Sequence, residues 1–262
     1  FLNLPIEHVG FADHILNTTT KRVALDPGNA PQPLPAEAGA LKVARSLVGS
    51  FKGSSQMEER LLELQRAAKE PTPVCLIQDV ATRWWSTYSM VVRLLRVQNH
   101  VSILAGQANS NLINLHPAQW SLLREIEILL KPFMIAQQLL EGEKYVTISF
   151  IPTIISRIRT HLESNKCRDN KSEYVSAMLD TLRTSFDAEW GTGAPNTMFD
   201  EQLTLGSRNR HKGYRLIHMV AAYLDPRTKL LSTFGEEDKA KMLKETKRRA
   251  LIIREELLAA RL

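Results

Sequence analysis

The sequence predicts a mainly α-helical fold, and three observations lead to this expectation. Apolar residues recur at the three- and four-residue spacing of one helical face through most of the 262-residue chain. Prolines and polar clusters interrupt this pattern at intervals, as they do between helices. Hydrophobic residues make up 44% and charged residues 24% of the chain, which are the proportions of a folded domain rather than of a disordered segment.

Several segments carry helical periodicity or a short apolar run. In chain order they are residues 6–25, 36–69, 82–105, 117–141, 147–161, 171–190, 213–223 and 236–261. Residues 53–55, Gly-Ser-Ser, are expected to kink or divide the second segment, and Pro117 opens the fourth at a position that tolerates proline. Residues 74–77 are expected to form one short strand. Loops are expected at residues 26–35, which contain four prolines, and at residues 191–210, which are polar and lack periodicity.

The excess positive charge lies in the last fifth of the chain. The net charge is +6, with +7 in residues 205–262 and −1 in the remainder. This distribution favours an anionic partner such as nucleic acid. Cys75 and Cys167 are too few for a disulfide framework or a four-cysteine zinc site, and they fit a reducing, intracellular compartment. No apolar run approaches the ~20 residues that cross a bilayer, so no membrane partner is expected.

Three short motifs make the assignment more specific than a generic helical domain. Residues 79–88 read Asp-Val-Ala-Thr-Arg-Trp-Trp-Ser-Thr-Tyr. Residues 222–229 read Ala-Tyr-Leu-Asp-Pro-Arg-Thr-Lys. Near the start, residues 14–17 read His-Ile-Leu-Asn, and Phe11 lies three positions before the histidine.

These motifs resemble those of the hAT superfamily of DNA transposases and of the domesticated zinc finger BED domain-containing proteins. The first matches D-V-x-T-R-W-N-S-T-Y, with Trp85 in place of the asparagine. The second matches L-D-P-R-x-K, and it lies downstream in the expected order. The third matches C-x-x-H-x-L-N, with Phe11 in place of the cysteine, so His14 is not expected to bind a metal.

The resemblance implies an RNase H-like α/β domain interrupted by a large helical insertion domain. The expected fold class is therefore mainly α, a helical insertion domain with a fragment of an RNase H-like α/β domain. Residues 1–35 are expected to be a remnant of the RNase H-like domain and a loop. Residues 36–210 are expected to be the helical insertion domain, and residues 211–262 a return segment towards the RNase H-like domain with a basic C-terminal helix. The family's three metal-binding catalytic acids and its BED finger are expected outside this chain.

Arg83 and Trp84 are the first candidates for contact with DNA. The resemblance implies that Trp84 stacks on a base flipped out at a transposon end, an interaction worth ~1–3 kcal/mol. The alternative is that Trp84 is a core residue at the start of a helix, because tryptophan is commonly buried. Asp79 is expected to cap that helix or to pair with Arg83 rather than to hold a metal. Asp225 and Pro226 are expected to form a turn or cap.

Basic residues of the C-terminal helix are the second candidate group. Lys244, Lys247, Arg248 and Arg249 are expected to contact DNA phosphates. Glutamates are interleaved with these residues, so the alternative is a solvated helix face with ion pairs four residues apart.

The sequence is therefore interpreted as a hAT transposase-derived fragment that contacts DNA and lacks a complete catalytic triad. No enzymatic activity and no cofactor are expected in this chain, whereas the complete family enzyme is expected to use divalent metal ions. Weakly bound DNA is the expected partner, the complete protein is expected to be able to self-associate, and the expected location is the nucleus. Two alternatives stay open: a helical protein-interaction or dimerisation remnant, and a truncated gene model without a selected function.

Overall fold

A computed structural model of the chain describes residues 20, 39–80, 84–107, 112–141, 147–166, 172–190, 216–228 and 235–259. The α-helices in these ranges are α1 Ala40–Lys52, α2 Ser55–Ala67, α3 Trp84–Arg96, α4 Gln98–Ala105, α5 Pro117–Leu140, α6 Ile151–Lys166, α7 Glu173–Trp190, α8 Leu216–Leu224 and α9 Glu236–Ala259, and a 3-10 turn, Ile148–Phe150, precedes α6. The described ranges contain no strand, so the mainly helical prediction is confirmed. The fragment of an RNase H-like α/β domain has no counterpart within these ranges and stays a prediction.

The long helix expected over residues 36–69 is divided at the predicted position. Gly53 ends α1, and its N–H donates to the carbonyl of Gly49 at 2.9 Å. Ser54 then caps α2, because its Oγ accepts a hydrogen bond from the N–H of Met57 at 3.3 Å. The helix expected over residues 82–105 is also divided, since the buried Val97 leaves helical geometry between α3 and α4.

The prediction of a strand over residues 74–77 is wrong. Gln65 of α2 occupies the hydrogen-bonding position of a neighbouring strand: its Oε1 accepts from Val74 N–H at 2.9 Å, and its Nε2 donates to Val74 O at 3.0 Å. Arg93 of α3 donates to the carbonyl of Cys75 at 3.0 Å. Side chains therefore satisfy backbone groups that a strand would pair with another strand.

The chain divides into two compact units, and the first consists of residues 17–134 and 164–182. Within it α1 packs on α2 and α3, and α4 packs on α2 and α3. Its core combines apolar side chains from α1 to α5, and the buried members are Ala44, Leu47, Val48, Phe51, Leu61, Leu76, Met90, Val91, Leu94, Val97, Val101, Leu104, Leu115, Trp120 and Leu123. The apolar residues of α1 that recur at three- and four-residue spacing all lie in or against this core: Leu41, Ala44, Leu47, Val48 and Phe51.

The second unit consists of residues 1–16, 135–163 and 183–262. In it α8 packs against α9 and against the 3-10 turn. Met219 and Ala222 of α8 and Met242 of α9 are fully buried together, and Tyr223 packs on them. This small cluster fixes which side of α9 faces the protein.

The proposed domain boundaries after residues 35 and 210 lie outside the described residues and stay predictions. The loops expected at residues 26–35 and 191–210 lie outside them as well, as do Phe11 and His14. Of the helix expected over residues 6–25, only Thr20 is described, and it is helical. None of the helices in the described part of the chain combines the length and hydrophobicity that a bilayer crossing requires.

Candidate nucleic-acid interface

The aspartate that begins the first motif is held by α1 and α3. Arg45 of α1 donates from Nε to Asp79 Oδ2 at 2.7 Å, and Thr87 of α3 donates from Oγ1 to the same oxygen at 2.8 Å. Gln78 donates from Nε2 to Asp79 Oδ1 at 3.1 Å. The Asp79 side chain is only 4% exposed, so both carboxylate oxygens are engaged inside the protein. The cation that contacts Asp79 is Arg45; the expected partner Arg83 lies outside the described residues, so that pairing stays a prediction.

These contacts keep the Asp79 carboxyl group ionised. Burial raises its pKa, but the hydrogen bonds from Arg45, Thr87 and Gln78, together with the charge of Arg45, outweigh burial and leave the pKa below its usual value. At neutral pH the carboxylate is therefore negative, as an ion pair with Arg45 requires.

Ser86 holds the residue that follows the aspartate. Its Oγ accepts from the N–H of Val80 at 2.8 Å and donates to the carbonyl of Val80 at 3.0 Å. Asp79 and Val80 are thus both bonded to the first turn of α3, on the N-terminal side of residues 81–83. The polar residues of this motif therefore join a non-helical segment to the start of a helix.

Trp84, the first residue of α3, is buried with 1% of its surface exposed. Its Nε1 has no hydrogen-bond partner within the described residues. The expectation that its ring stacks on a flipped base stays a prediction. The core alternative describes its placement, and Arg83 beside it stays a prediction outside the described residues.

The aspartate of the second motif organises a turn after α8. The Arg227 side chain donates to its carboxylate from Nε at 3.0 Å and from a terminal guanidinium nitrogen at 2.7 Å. The backbone N–H of Arg227 also donates to Asp225 Oδ1 at 2.9 Å. Ser149 donates from Oγ to Asp225 Oδ2 at 2.6 Å. Thr228 donates from its N–H to the Asp225 carbonyl at 3.0 Å and from Oγ1 to the Ala222 carbonyl at 2.7 Å. The turn predicted at Asp225 is confirmed.

This turn also fixes the two charges within it. The hydrogen bonds from Arg227 and then from Ser149 hold the pKa of Asp225 well below its usual range. The guanidinium carbon of Arg227 lies 4.5 Å from the centre of the Phe150 ring, within the range of a cation–π interaction. Arg227 is therefore engaged by a carboxylate and an aromatic ring, which makes it a poor candidate for binding phosphate.

The exposed cations of α9 lie opposite its packed face. Met242 is fully buried against α8. With about 3.6 residues per turn, Lys244, Lys247 and Arg248 fall on the other side of the helix, and all three are exposed. They lie at three- and four-residue spacing, so their side chains form one basic surface facing solvent. We call Lys244, Lys247 and Arg248 the α9 basic face.

Arg248 and Arg249 of α9 form ion pairs, whereas Lys244 and Lys247 form none among the described residues. Glu245 receives hydrogen bonds from Arg248 at 2.6 and 2.7 Å and from Arg249 at 2.9 Å. The bonds from Arg248 and then Arg249 outweigh desolvation and lower the pKa of Glu245 to about 2. Lys244 and Lys247 have no ion pair within the part of the chain that the structure describes. The alternative of a paired, solvated face thus describes Arg248 and Arg249, and Lys244 and Lys247 remain available for an anion.

Sequence reasoning did not single out Arg45 or Ser149, although each holds an aspartate of a motif. Arg45 lies 34 residues from Asp79, and Ser149 lies 76 residues from Asp225. No local pattern marks either residue, because only the packing of distant segments brings the partners together. Among the described residues, no group of three or more His, Cys, Asp or Glu side chains is arranged to hold a metal ion.

Comparison with known proteins relates the chain to one family. Residues 12–128 match the model of the ZBED1 RNase-like helical domain. The chain is 35% identical over 143 residues, 53% of its length, to "Putative transcriptional regulator tpeD" of Talaromyces stipitatus. It is 26% identical over 199 residues, 76% of its length, to zinc finger BED domain-containing protein 4 of Homo sapiens. The matched regions cover 16% and 15% of these two relatives. No solved structure matches the chain significantly. The predicted resemblance to a BED/hAT-type family is thereby confirmed.

Proposed function

Because the chain is related to the BED/hAT-type family, we propose that it is a hAT transposase-derived region that binds the phosphate backbone of DNA through α9. The observation that carries this proposal is the α9 basic face. Lys244 and Lys247 project from the side of α9 opposite the buried Met242, and neither has an ion pair among the described residues. Lysine ammonium groups that are exposed and free of carboxylates are suited to a phosphate.

The charges around this face favour weak binding without strong sequence preference. Lys239 pairs with Glu236 at 2.7 Å, and Lys241 pairs with Glu237 at 3.0 Å. These pairs offset part of the positive charge on the same helix. Contacts to phosphates alone carry no direct sequence information, so binding is expected to depend on salt more than on sequence.

The proposal extends to what the chain does not do by itself. We propose no catalytic acid and no cofactor for this chain, because the family resemblance implies that the metal-binding acids lie outside it. Arg83 is retained in the proposal as a second DNA contact beside the start of α3. The proposed location is the nucleus, where a DNA-binding region of this family would act.

Fluorescence anisotropy with a labelled DNA duplex tests the proposal. The 262-residue chain is titrated at two or more salt concentrations, alongside a variant carrying Lys244→Gln and Lys247→Gln. A control carries Lys42→Gln and Lys131→Gln, which remove two exposed lysines from elsewhere in the chain. Loss of two phosphate contacts is expected to reduce the slope of log K against log salt by about 2.

Two results would contradict the proposal. Absence of binding by the wild-type chain at low salt would exclude a DNA-binding role. An equal reduction of affinity and salt slope in the α9 variant and in the control would place the binding surface elsewhere, because both variants lose the same charge.

A second candidate function is docking of a protein partner or dimerisation, and the distal half of α9 favours it. Leu251, Ile253, Leu257 and Leu258 are 41 to 55% exposed there, which is unusual for four large apolar residues within two turns. Light scattering after size-exclusion chromatography tests the dimer. If α9 carries the contact, Leu257→Lys with Leu258→Lys yields a monomer, whereas Ile103→Lys, at a comparably exposed site on α4, does not. A monomeric wild-type chain at high concentration would exclude dimerisation.

A further inference from the structure

The turn after α2 presents a threonine in a distinctive local sequence. Thr72 lies between Pro71 and Pro73. Among the twelve prolines of the chain, only Pro73 directly follows a serine or threonine. Thr72 therefore carries the single Thr-Pro or Ser-Pro dipeptide of the sequence.

Thr72 and the residues just before it are exposed to another protein. Helix α2 ends at Ala67, and Lys69 adopts a left-handed conformation with φ of 57°, so the chain has left the helix before Pro71. Residues 73–80 follow without helix or strand, and both Pro71 and Thr72 are exposed. A hydroxyl acceptor in an exposed, non-helical segment can enter the cleft of a modifying enzyme without unfolding a helix.

Arg96 already reaches this threonine. A terminal nitrogen of its guanidinium donates to the Thr72 carbonyl at 2.8 Å, and the Arg96 side chain lies at the exposed C-terminal end of α3. Arginine carries five N–H donors, so this bond leaves others available. The carbonyl and the hydroxyl belong to the same residue, which brings a phosphate on Thr72 Oγ within reach of the same guanidinium.

We propose that Thr72 is a phosphorylation site for a proline-directed protein kinase and that Arg96 binds the resulting phosphate. Thr72 Oγ attacks the γ-phosphorus of ATP and forms the new O–P bond. The bond from the γ-phosphorus to the bridging oxygen of the β-phosphate breaks, and ADP leaves. The hydroxyl proton passes to a base of the kinase, and nothing is oxidised or reduced.

Phosphorylation would strengthen the link between this turn and α3. It adds a charge of about −1.5 to −2 at neutral pH beside a guanidinium that donates to the neutral Thr72 carbonyl. Arginine binds phosphate through charge-assisted hydrogen bonds, which are stronger than a bond to a carbonyl. Arg93, one turn earlier on α3, donates to the Cys75 carbonyl, so both last-turn arginines bond to carbonyls of the segment from Thr72 to Cys75.

The site is tested by incubating the 262-residue chain with ATP and a purified proline-directed kinase, followed by mass spectrometry. We expect one phosphoryl group on Thr72 of the wild-type chain. The Thr72→Ser variant is expected to be phosphorylated as well, because it keeps a hydroxyl at this position. Thr72→Ala and Pro73→Ala are expected to incorporate no phosphoryl group. A synthetic peptide of residues 66–80 serves as the positive control for the kinase. Phosphorylation of the peptide but not of the folded chain would overturn the proposal, as would unchanged incorporation into Thr72→Ala.

The role of Arg96 is tested by thermal unfolding before and after phosphorylation. The wild-type chain is expected to gain about 1 to 3 °C in melting temperature, the size expected of one exposed charge pair in a chain of this length. Arg96→Gln is expected to lose this gain. Arg124→Gln, which removes an exposed arginine from α5, is expected to keep it. Equal gains in all three proteins would overturn the assignment of Arg96 as the phosphate-binding residue.

Discussion

Replacing Arg45 with glutamine removes the only cation that contacts Asp79 among the described residues. The change keeps part of the side-chain stem and a polar end group, but it deletes the 2.7 Å charge-assisted bond from Nε to Oδ2. Thr87 and Gln78 still donate to the carboxylate. The variant thus isolates the contribution of the cation to a carboxylate that is 4% exposed.

The expected loss in the free energy of unfolding is about 1 to 2 kcal/mol at neutral pH. A hydrogen bond to a charged group contributes about 1.5 to 3 kcal/mol, and the lower half applies here because water partly screens an arginine side chain that is 34% exposed. Because Thr87 and Gln78 still donate hydrogen bonds, the loss is expected to stay below the ~3–5 kcal/mol that leaving a buried charge without any partner would cost.

The effect is expected to disappear in acid. Because the folded-state pKa of Asp79 is lower than its unfolded value of 3.8, its ionised form contributes stability that is complete above that value. This contribution is lost as the pH falls through the folded-state pKa. Wild type and Arg45→Gln should therefore converge in stability once the carboxyl group is protonated in both.

Urea unfolding followed by far-ultraviolet circular dichroism at neutral and at acidic pH measures both effects. Arg66→Gln is the matched control, because Arg66 makes an equally short 2.7 Å ion pair with Glu59 while both side chains are more than half exposed. This control is expected to lose less than about 0.5 kcal/mol. Equal losses in the two variants at neutral pH would refute the reasoning that the Arg45–Asp79 pair stabilises the fold more than an exposed pair because it is buried.

Two further predictions concern buried side chains of the first unit, and both are measured by the same urea titrations. Trp84→Ala is expected to lower the free energy of unfolding by about 3 to 5 kcal/mol, because it removes a buried side chain. Trp85→Ala, at the half-buried neighbouring position, is expected to lower it much less. Similar losses in the two variants would contradict the core placement of Trp84. Gln65→Leu is expected to cost about 1 to 3 kcal/mol, because it leaves both backbone groups of Val74 without their partner, and a neutral effect would show that water replaces the amide.

The helices were predictable because their signals are local. The apolar residues of α1 lie three and four positions apart, and the Gly53-Ser54 break uses residue types that end and begin helices wherever they occur. The strand at residues 74–77 failed for the opposite reason, since a strand exists only when another strand pairs with it. Here the Gln65 side chain makes the hydrogen bonds to the Val74 backbone instead, and no pattern in the neighbouring sequence predicts that a side chain will do so.

The candidate interface was predictable in part. The basic residues of α9 are visible in the sequence, and so are the glutamates interleaved with them. Which cations remain available depends on side-chain geometry, because Glu245 engages Arg248 and Arg249 and leaves Lys244 and Lys247 without a carboxylate among the described residues. The side of α9 that faces solvent follows from the burial of Met242 against α8, a contact between separate segments of the chain.

The sequence by itself determined the family resemblance and most helix positions, since motifs and helical periodicity are written in neighbouring residues. Only the tertiary structure decided what the motif residues do. It pairs Asp79 with Arg45, bonds Ser149 to Asp225, and buries the ring of Trp84. The physical reason is that ion pairing and burial depend on which distant segments pack together, and the burial of apolar surface between whole helices is the main favourable term in that packing.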